Sequence, residues 1–230
     1  MMVLPKKVIK VIEAICRAYL WRVQVMFHGA GAVSWENTCQ PKKAGGLGII
    51  KIEDWNKAAI CKYIWAISNK QESLWQKWIH SVYLKDHDWW SYSASIHASW
   101  YWKKLVAIKN QIKQMSDTKE FQQGKYTIAA GYKMFSPSAV APRWCKEVWS
   151  RLNTPKHNVI LWLAMLNRLK TQDRLIKFGV QVNGKCCLCE AGDETNQHLF
   201  FECVTAVNSL QEIKNWLKWN VVSTNLPQLL

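Results

Sequence analysis

Four side chains near the C-terminal end have the types and spacing to hold a metal ion. Cys186, Cys189, His198 and Cys203 form a C-x2-C-x8-H-x4-C pattern. Two thiolates separated by two residues can converge from one tight turn, and a second pair can complete the tetrahedron that zinc prefers. With four protein ligands no position remains for water, so such a site is structural rather than hydrolytic. The alternative is a chance cluster of free thiols. Half of the eight cysteines lie between positions 186 and 203 with a histidine among them, which favours the metal. Cys187 competes with Cys186 as a ligand, and Cys186 is preferred because it keeps the two-residue gap to Cys189.

The elements that would position this set are helical, and the fold class expected is mainly α. Thr154-Pro155 is a helix start, with a hydroxyl to cap and a proline at the first helical position. The helix that follows, to about Arg168, is apolar nearly all round through Val159–Leu166 and is expected to be the buried centre of the C-terminal half. Thr171 caps a short helix ending at Phe178, where Gly179 supplies a left-handed stop. Leu210, Ile213, Trp216 and Leu217 mark a last amphipathic helix.

Upstream, Val8, Ile12, Ile15 and Tyr19 give helical spacing over residues 6–27, with a drift toward extended chain near Val23 and Val25. Asp54 is the expected cap of a helix from Trp55 to Ser68, with Ile60, Ile64 and Ile67 on one face. A helix over 72–84 is expected to turn Leu74, Trp75, Trp78, Ile79 and Val82 inward. Residues 103–123 are polar enough to suggest a helical link between halves. Gly45-Gly46-Leu47-Gly48 tempts a phosphate-cradle reading, but it matches neither G-x-x-x-x-G-K-[ST] nor G-x-G-x-x-G, so a flexible turn is expected.

Composition bounds the function. The 230 residues contain 15 Trp and 49% hydrophobic residues, which supports a folded core and argues against disorder. A formal net charge of +15, spread over both halves, favours polyanions, with nucleic acid ahead of an acidic membrane surface. The most apolar run, Val159–Leu166, is far short of the ~20 residues that span a bilayer, and no secretory signal is evident. The remaining cysteines are irregularly spaced, as reduced core thiols would be, so an intracellular compartment is expected, with the nucleus open as a location.

The ordered set Trp149, Leu152, Pro155-Lys156, Trp162, Leu169-Lys170-Thr171-Gln172-Asp173-Arg174-Leu175, Gly179-Val180, Cys186-x-Leu188-Cys189, Glu194-Thr195 and His198-Leu199-Phe200-x-x-Cys203 resembles the zinc-binding domain of plant LINE-type (non-LTR) retrotransposon reverse transcriptases. Cys187 stands where that family usually has proline, and Leu210 where it often has tryptophan. Upstream, Leu4-Pro5, Tyr19-Leu20-Trp21, Val33-x-Trp35, Cys39-x-Pro41-Lys42, Gly45–Ile49 and Asn56-x-x-Ala59 resemble the segment that joins the polymerase to that domain. The resemblance implies a connector over residues 1–122 and a small zinc-stabilised helical domain over 123–230, with one structural Zn2+.

Polymerase and RNase H chemistry require clustered carboxylates that hold two metal ions. The chain has no Tyr/Phe-x-Asp-Asp, Asp86-His87-Asp88 is an isolated pair in an expected turn, and Glu212 is the only carboxylate side chain after Cys203. A non-catalytic chain is therefore expected. Glu190, Asp193, Glu194 and Glu202 make the metal loop acidic, so RNA or DNA contacts are assigned instead to Lys170, Arg174, Lys177 and Lys185, with Lys42 and Lys43 as a second candidate. Two other functions stay open: a zinc-ordered platform that docks on a polymerase or another protein, and a retroelement remnant without function.

Overall fold

A computed structural model describes residues 2–21, 31–85, 87–115, 117, 121–136, 140–220 and 225. Among these residues the chain is helical and forms no strand; the one extended pairing is an isolated bridge between Lys185 and Asp193. Packing defines two compact units, Met1–Gly29 with Ile50–Ala139, and Ala30–Ile49 with Val140–Leu230. The units therefore do not follow a single cut in the chain. Residues 31–49, upstream of 122, pack with the C-terminal part, whereas the helix at 128–135, downstream of it, packs with the N-terminal unit. No helix among the described residues is long and apolar enough to cross a membrane.

The first unit is organised around α3 (Ile52–Ser68), whose Ile60, Ile64 and Ile67 are fully buried. It packs on α1 (Lys6–Trp21), α5 (Trp100–Met115) and α6 (Ile128–Phe135). Approach to α6 is close because Gly131 lies where a β-carbon would stand 3.3 Å from the Ala58 β-carbon and collide with the Tyr126 hydroxyl. That hydroxyl donates to the Ala58 carbonyl at 2.7 Å. The expected cap at Asp54 is corrected. Lys51 occupies the cap position without a side-chain cap hydrogen bond, and Asp54 lies inside the first turn, near Lys51 (3.6 Å) and Lys57 (3.7 Å), where a negative charge favours the helix dipole.

Where a link over 103–123 is expected, residues 103–115 belong instead to the core helix α5. Trp102, Leu105, Val106, Ile108 and Ile112 are buried, and so is Lys109, at 1% exposure. Lys109 is tolerated there because its ammonium donates to the Trp89 carbonyl at 3.2 Å and to those of Trp90 and Tyr92, and lies 5.3 Å over the Trp89 ring. Burial pushes its pKa down, and the hydrogen-bonded ammonium fixes the 89–92 turn onto α5. Trp89 and Trp102 are accordingly packing residues. The 72–84 helix is also corrected. α4 (Leu74–Ile79) gives way to a wider π-type turn over His80–Leu84; Gln76, Ile79 and Leu84 face inward, while Leu74, Trp78 and Val82 are exposed, Leu74 to 88%. The first helix ends at Trp21 among the described residues, and the extended segment expected near Val23 and Val25 lies outside them.

The second unit contains α2 (Trp35–Cys39), α7 (Cys145–Val148), α8 (Pro155–Met165), α9 (Gln172–Lys177) and α10 (Val204–Leu217). Thr154 caps α8 as expected, its hydroxyl accepting from the His157 amide. Only Trp162 and Ala164 of α8 are buried, and Val159 and Ile160 are exposed, so this helix is half-buried rather than enclosed. Trp162 is the anchor: its indole donates to the Gly45 carbonyl at 2.7 Å. The loop that supplies this acceptor is not a flexible turn. The amides of Ala44, Gly45, Gly46, Leu47 and Gly48 donate in turn to the carbonyls of Pro41, Lys42, Pro41, Thr38 and Gln40. Donors committed in this way leave no cradle for a phosphate.

Candidate metal centre

A short turn brings the first two cysteines together. The Cys186 amide donates to the Gly192 carbonyl (2.8 Å), the Glu194 amide to the Gly184 carbonyl (2.9 Å), and the Glu190 amide to the Cys186 carbonyl (2.9 Å). Glu190 takes φ +56°, which reverses the chain after Cys189. The Leu188 amide points at the Cys186 sulfur at 3.5 Å, where an N–H stabilises thiolate charge.

The other pair comes from a π-type turn over His198–Glu202. The Thr195 hydroxyl accepts from the His198 amide, and the Cys203 amide donates to the His198 carbonyl at 2.8 Å. A five-residue step is that of a π-turn hydrogen bond, which explains why H-x4-C sets both ligands on one side. Gly192 lies beneath the imidazole; a β-carbon there would come within 2.5 Å of the His198 ring. The Glu202 carboxylate lies 3.9 Å from His198 Nδ1 on the far side of the ring from Nε2.

The four ligand atoms all lie within 4.8 Å of one another. Cys189 Sγ is 3.2 Å from His198 Nε2, and Cys186 Sγ is 3.9 Å from Cys203 Sγ. Zinc–sulfur bonds of ~2.3 Å in a tetrahedron put neighbouring sulfurs ~3.8 Å apart, so the donor set fits one zinc ion. Cys186 and Cys203 are fully buried, and His198 is nearly so. Amides of Gly192 and Ala191, with His198, hold the Cys189 thiol down at about 6, which suits a thiolate ligand. Cys187 is exposed, lies outside the set, and has its amide bound elsewhere.

That acceptor is Glu194, a buried carboxylate whose role the sequence pattern did not reveal. Its two oxygens accept from the Cys187 amide at 3.4 Å and from the Gln172 amide at 3.2 Å. Thr171 occupies the cap position of α9, but its hydroxyl is turned to Asp173, so Glu194 satisfies the helix start instead. The metal turn is thereby tied to the helix that carries the basic residues. Replacing Glu194 by Ala leaves two part-buried amides without this partner, at a cost of roughly 1–3 kcal/mol in all. Zinc affinity is expected to fall roughly tenfold, by analogy with other groups that orient ligands. Competition against a chromophoric chelator measures this; unchanged affinity together with unchanged melting would remove Glu194 from the site.

The predicted basic residues have different surroundings. Lys177 pairs with Asp173 at 3.2 Å, and Lys185 with Asp193 at 3.0 Å. Arg174 donates to the Asn167 carbonyl and lies 5.7 Å over the Phe178 ring. Lys170 and Lys43 are exposed, while the exposed Lys42 has its ammonium 4.9 Å over Trp149, inside the same compact unit as α9. Arg168 joins Arg174 and Lys177 along one groove and was not singled out from sequence, because one arginine at a helix end carries no local signal.

The fold and site define a helical unit closed by a structural Cys3His zinc clasp. Residues 126–209 match the family model for the zinc-binding domain of reverse transcriptases, so the chain carries that retrotransposon-derived domain, as the sequence resemblance implied. An Arabidopsis thaliana protein named "Putative ribonuclease H protein" is 30% identical over 101 residues, which make up 42% of this chain and 16% of that protein. The shared stretch is thus a small part of the relative. No solved structure matches the chain.

Proposed function

We propose that this chain is a non-catalytic, zinc-clasped segment of a retrotransposon reverse transcriptase polyprotein that binds RNA or DNA with little sequence preference. The observation that carries this reading is the basic surface of α9 and its lead-in, Arg168, Lys170, Arg174 and Lys177, fastened to the zinc turn by Glu194. The +15 charge of the chain adds a long-range field that gathers polyanions. Zinc acts by ordering the unit, and no chemical step is assigned to it. Polymerase and RNase H motifs are missing from the sequence, and Asp88 serves as a local cap, its carboxylate accepting from the Ser91 amide at 3.0 Å. Asp86, its partner in the D-x-D pair, lies outside the described residues.

Filter binding of the zinc-loaded chain to RNA and DNA across a salt series tests the proposal. With about four phosphate contacts, log affinity should fall against log salt with a slope of roughly −3 to −4. Absence of binding at low salt would sink it. A second reading, a platform for another protein, is favoured by α10, where Ile213, Trp216 and Leu217 are exposed, Trp216 to 82%. A partner captured through α10 would remain bound at high salt after nuclease treatment.

A further inference from the structure

The residues preceding α9 and the outer face of that helix enclose a surface groove of about 460 Å3. Asn167, Arg168, Asp173, Arg174, Lys177 and Phe178 line it. Three cations therefore face one carboxylate, and that carboxylate already accepts from Lys177 and from the Thr171 hydroxyl. Arg168 is exposed and takes part in no ion pair among the described residues. Beside these cations Phe178 is 67% exposed. Its backbone is set by the helix stop: Gly179 takes φ +78°, and the Val180 amide donates to the Leu175 carbonyl at 3.0 Å. The Arg174 guanidinium braces one side of the ring and is itself held by the Asn167 carbonyl.

From this juxtaposition we infer that the groove binds an unpaired nucleic-acid strand, with one base stacked on Phe178 and neighbouring phosphates on Arg168, Arg174 and Lys177. The inference rests on the nucleic-acid reading above and makes it more specific. An exposed ring beside Arg174 and among cations meets both needs of a single strand, a π-face for the base and charge for the backbone. Duplex bases are already stacked on each other and cannot use the ring. An acidic peptide would engage the cations and leave the ring idle.

The full zinc-loaded chain is titrated by fluorescence anisotropy against labelled single-stranded RNA and DNA of equal length, their duplexes, and poly-glutamate. At equal salt, the single strands are expected to bind more tightly than the duplexes. Phe178→Ala and Phe178→Leu, the latter keeping apolar bulk without a ring, should weaken single-strand binding roughly five- to hundredfold, and Phe178→Trp should restore it. Arg168→Gln should make the single-strand salt slope shallower by about 0.7. Wild-type zinc content in each variant shows that the unit is intact. Equal binding of single strands and duplexes, with both ring-removing variants unchanged, overturns the inference and leaves general nucleic-acid binding standing. Poly-glutamate binding as tight as the strands also overturns it, in favour of an acidic peptide. Failure of every nucleic acid to bind would overturn both readings.

Discussion

Cys203→Ser and Cys189→Ser are each expected to strip the zinc from the chain and to melt the second unit with it. Cys203 is fully buried between the π-turn and α10, and Cys189 bridges toward His198. Apparent zinc binding in finger peptides is ~10–16 kcal/mol at neutral pH, comparable with the whole stability of a typical domain, ~5–15 kcal/mol. Little else encloses the helices next to the zinc turn: α10 has no buried residue, and α8 buries only two. Loss of the metal should therefore remove helicity well beyond the four ligands. Cys187→Ser is the matched control and should keep one zinc per chain, since that thiol is exposed and lies outside the cluster. Metal analysis with far-UV circular dichroism reads both effects. Stoichiometric zinc in Cys203→Ser would refute the ligand assignment.

Acid should reproduce the same loss reversibly. Thiolates and neutral imidazole bind zinc, so protons compete with the metal and affinity falls with pH. Cys189 marks the direction. The Gly192 and Ala191 amides, with His198, lower its pKa from 9.0 to about 6. A depressed pKa contributes stability that is fully present above the unfolded value and disappears as pH falls through the folded one. Zinc release, followed with a chromophoric chelator across a pH series, should therefore steepen as pH falls through about 6.

The metal centre was legible because its information is local. A C-x2-C turn and an H-x4-C π-turn each lie within a few residues, and Thr154-Pro155 and Gly179 mark nearby helix ends in the same way. What escaped depends on distant partners. α5 looked like a linker because Lys109 counts as polar until three carbonyls, 17 to 20 residues away, receive its ammonium. A π-type turn after Ile79 changed the helical phase, so a regular 3.6-residue period assigned the exposed Val82 to the inward side that Leu84 occupies. Phe178 could not be separated from a core phenylalanine by residue type. Glu194 stood inside the recognised pattern, yet only the fold shows that it joins Gln172 to Cys187.

Gly46→Ala should be the most damaging single methyl group in the second unit. An ideal β-carbon at this position stands 2.0 Å from the Gln40 carbonyl oxygen and 2.7 Å from that of Asn37. Both obstacles are backbone, so no rotamer change relieves them. Relief requires opening the 37–48 turn, whose amides hold one another's carbonyls, and moving the neighbouring Gly45 carbonyl away from the Trp162 indole. Loss of a buried hydrogen bond and displacement of the anchor of α8 place the cost above about 4 kcal/mol, in the exceptional range for point substitutions. Gly48→Ala provides the comparison. It has φ +74° but only Lys42 atoms at 3.8–3.9 Å, so its cost is the left-handed penalty alone, roughly 1–2 kcal/mol. Thermal melting and limited proteolysis within 37–48 should separate the two variants strongly. The zinc turn is built from its own hydrogen bonds, so Gly46→Ala should still bind one zinc while this loop becomes cleavable. Equal melting of Gly46→Ala and wild type would mean that the loop does not pack on Trp162 as described.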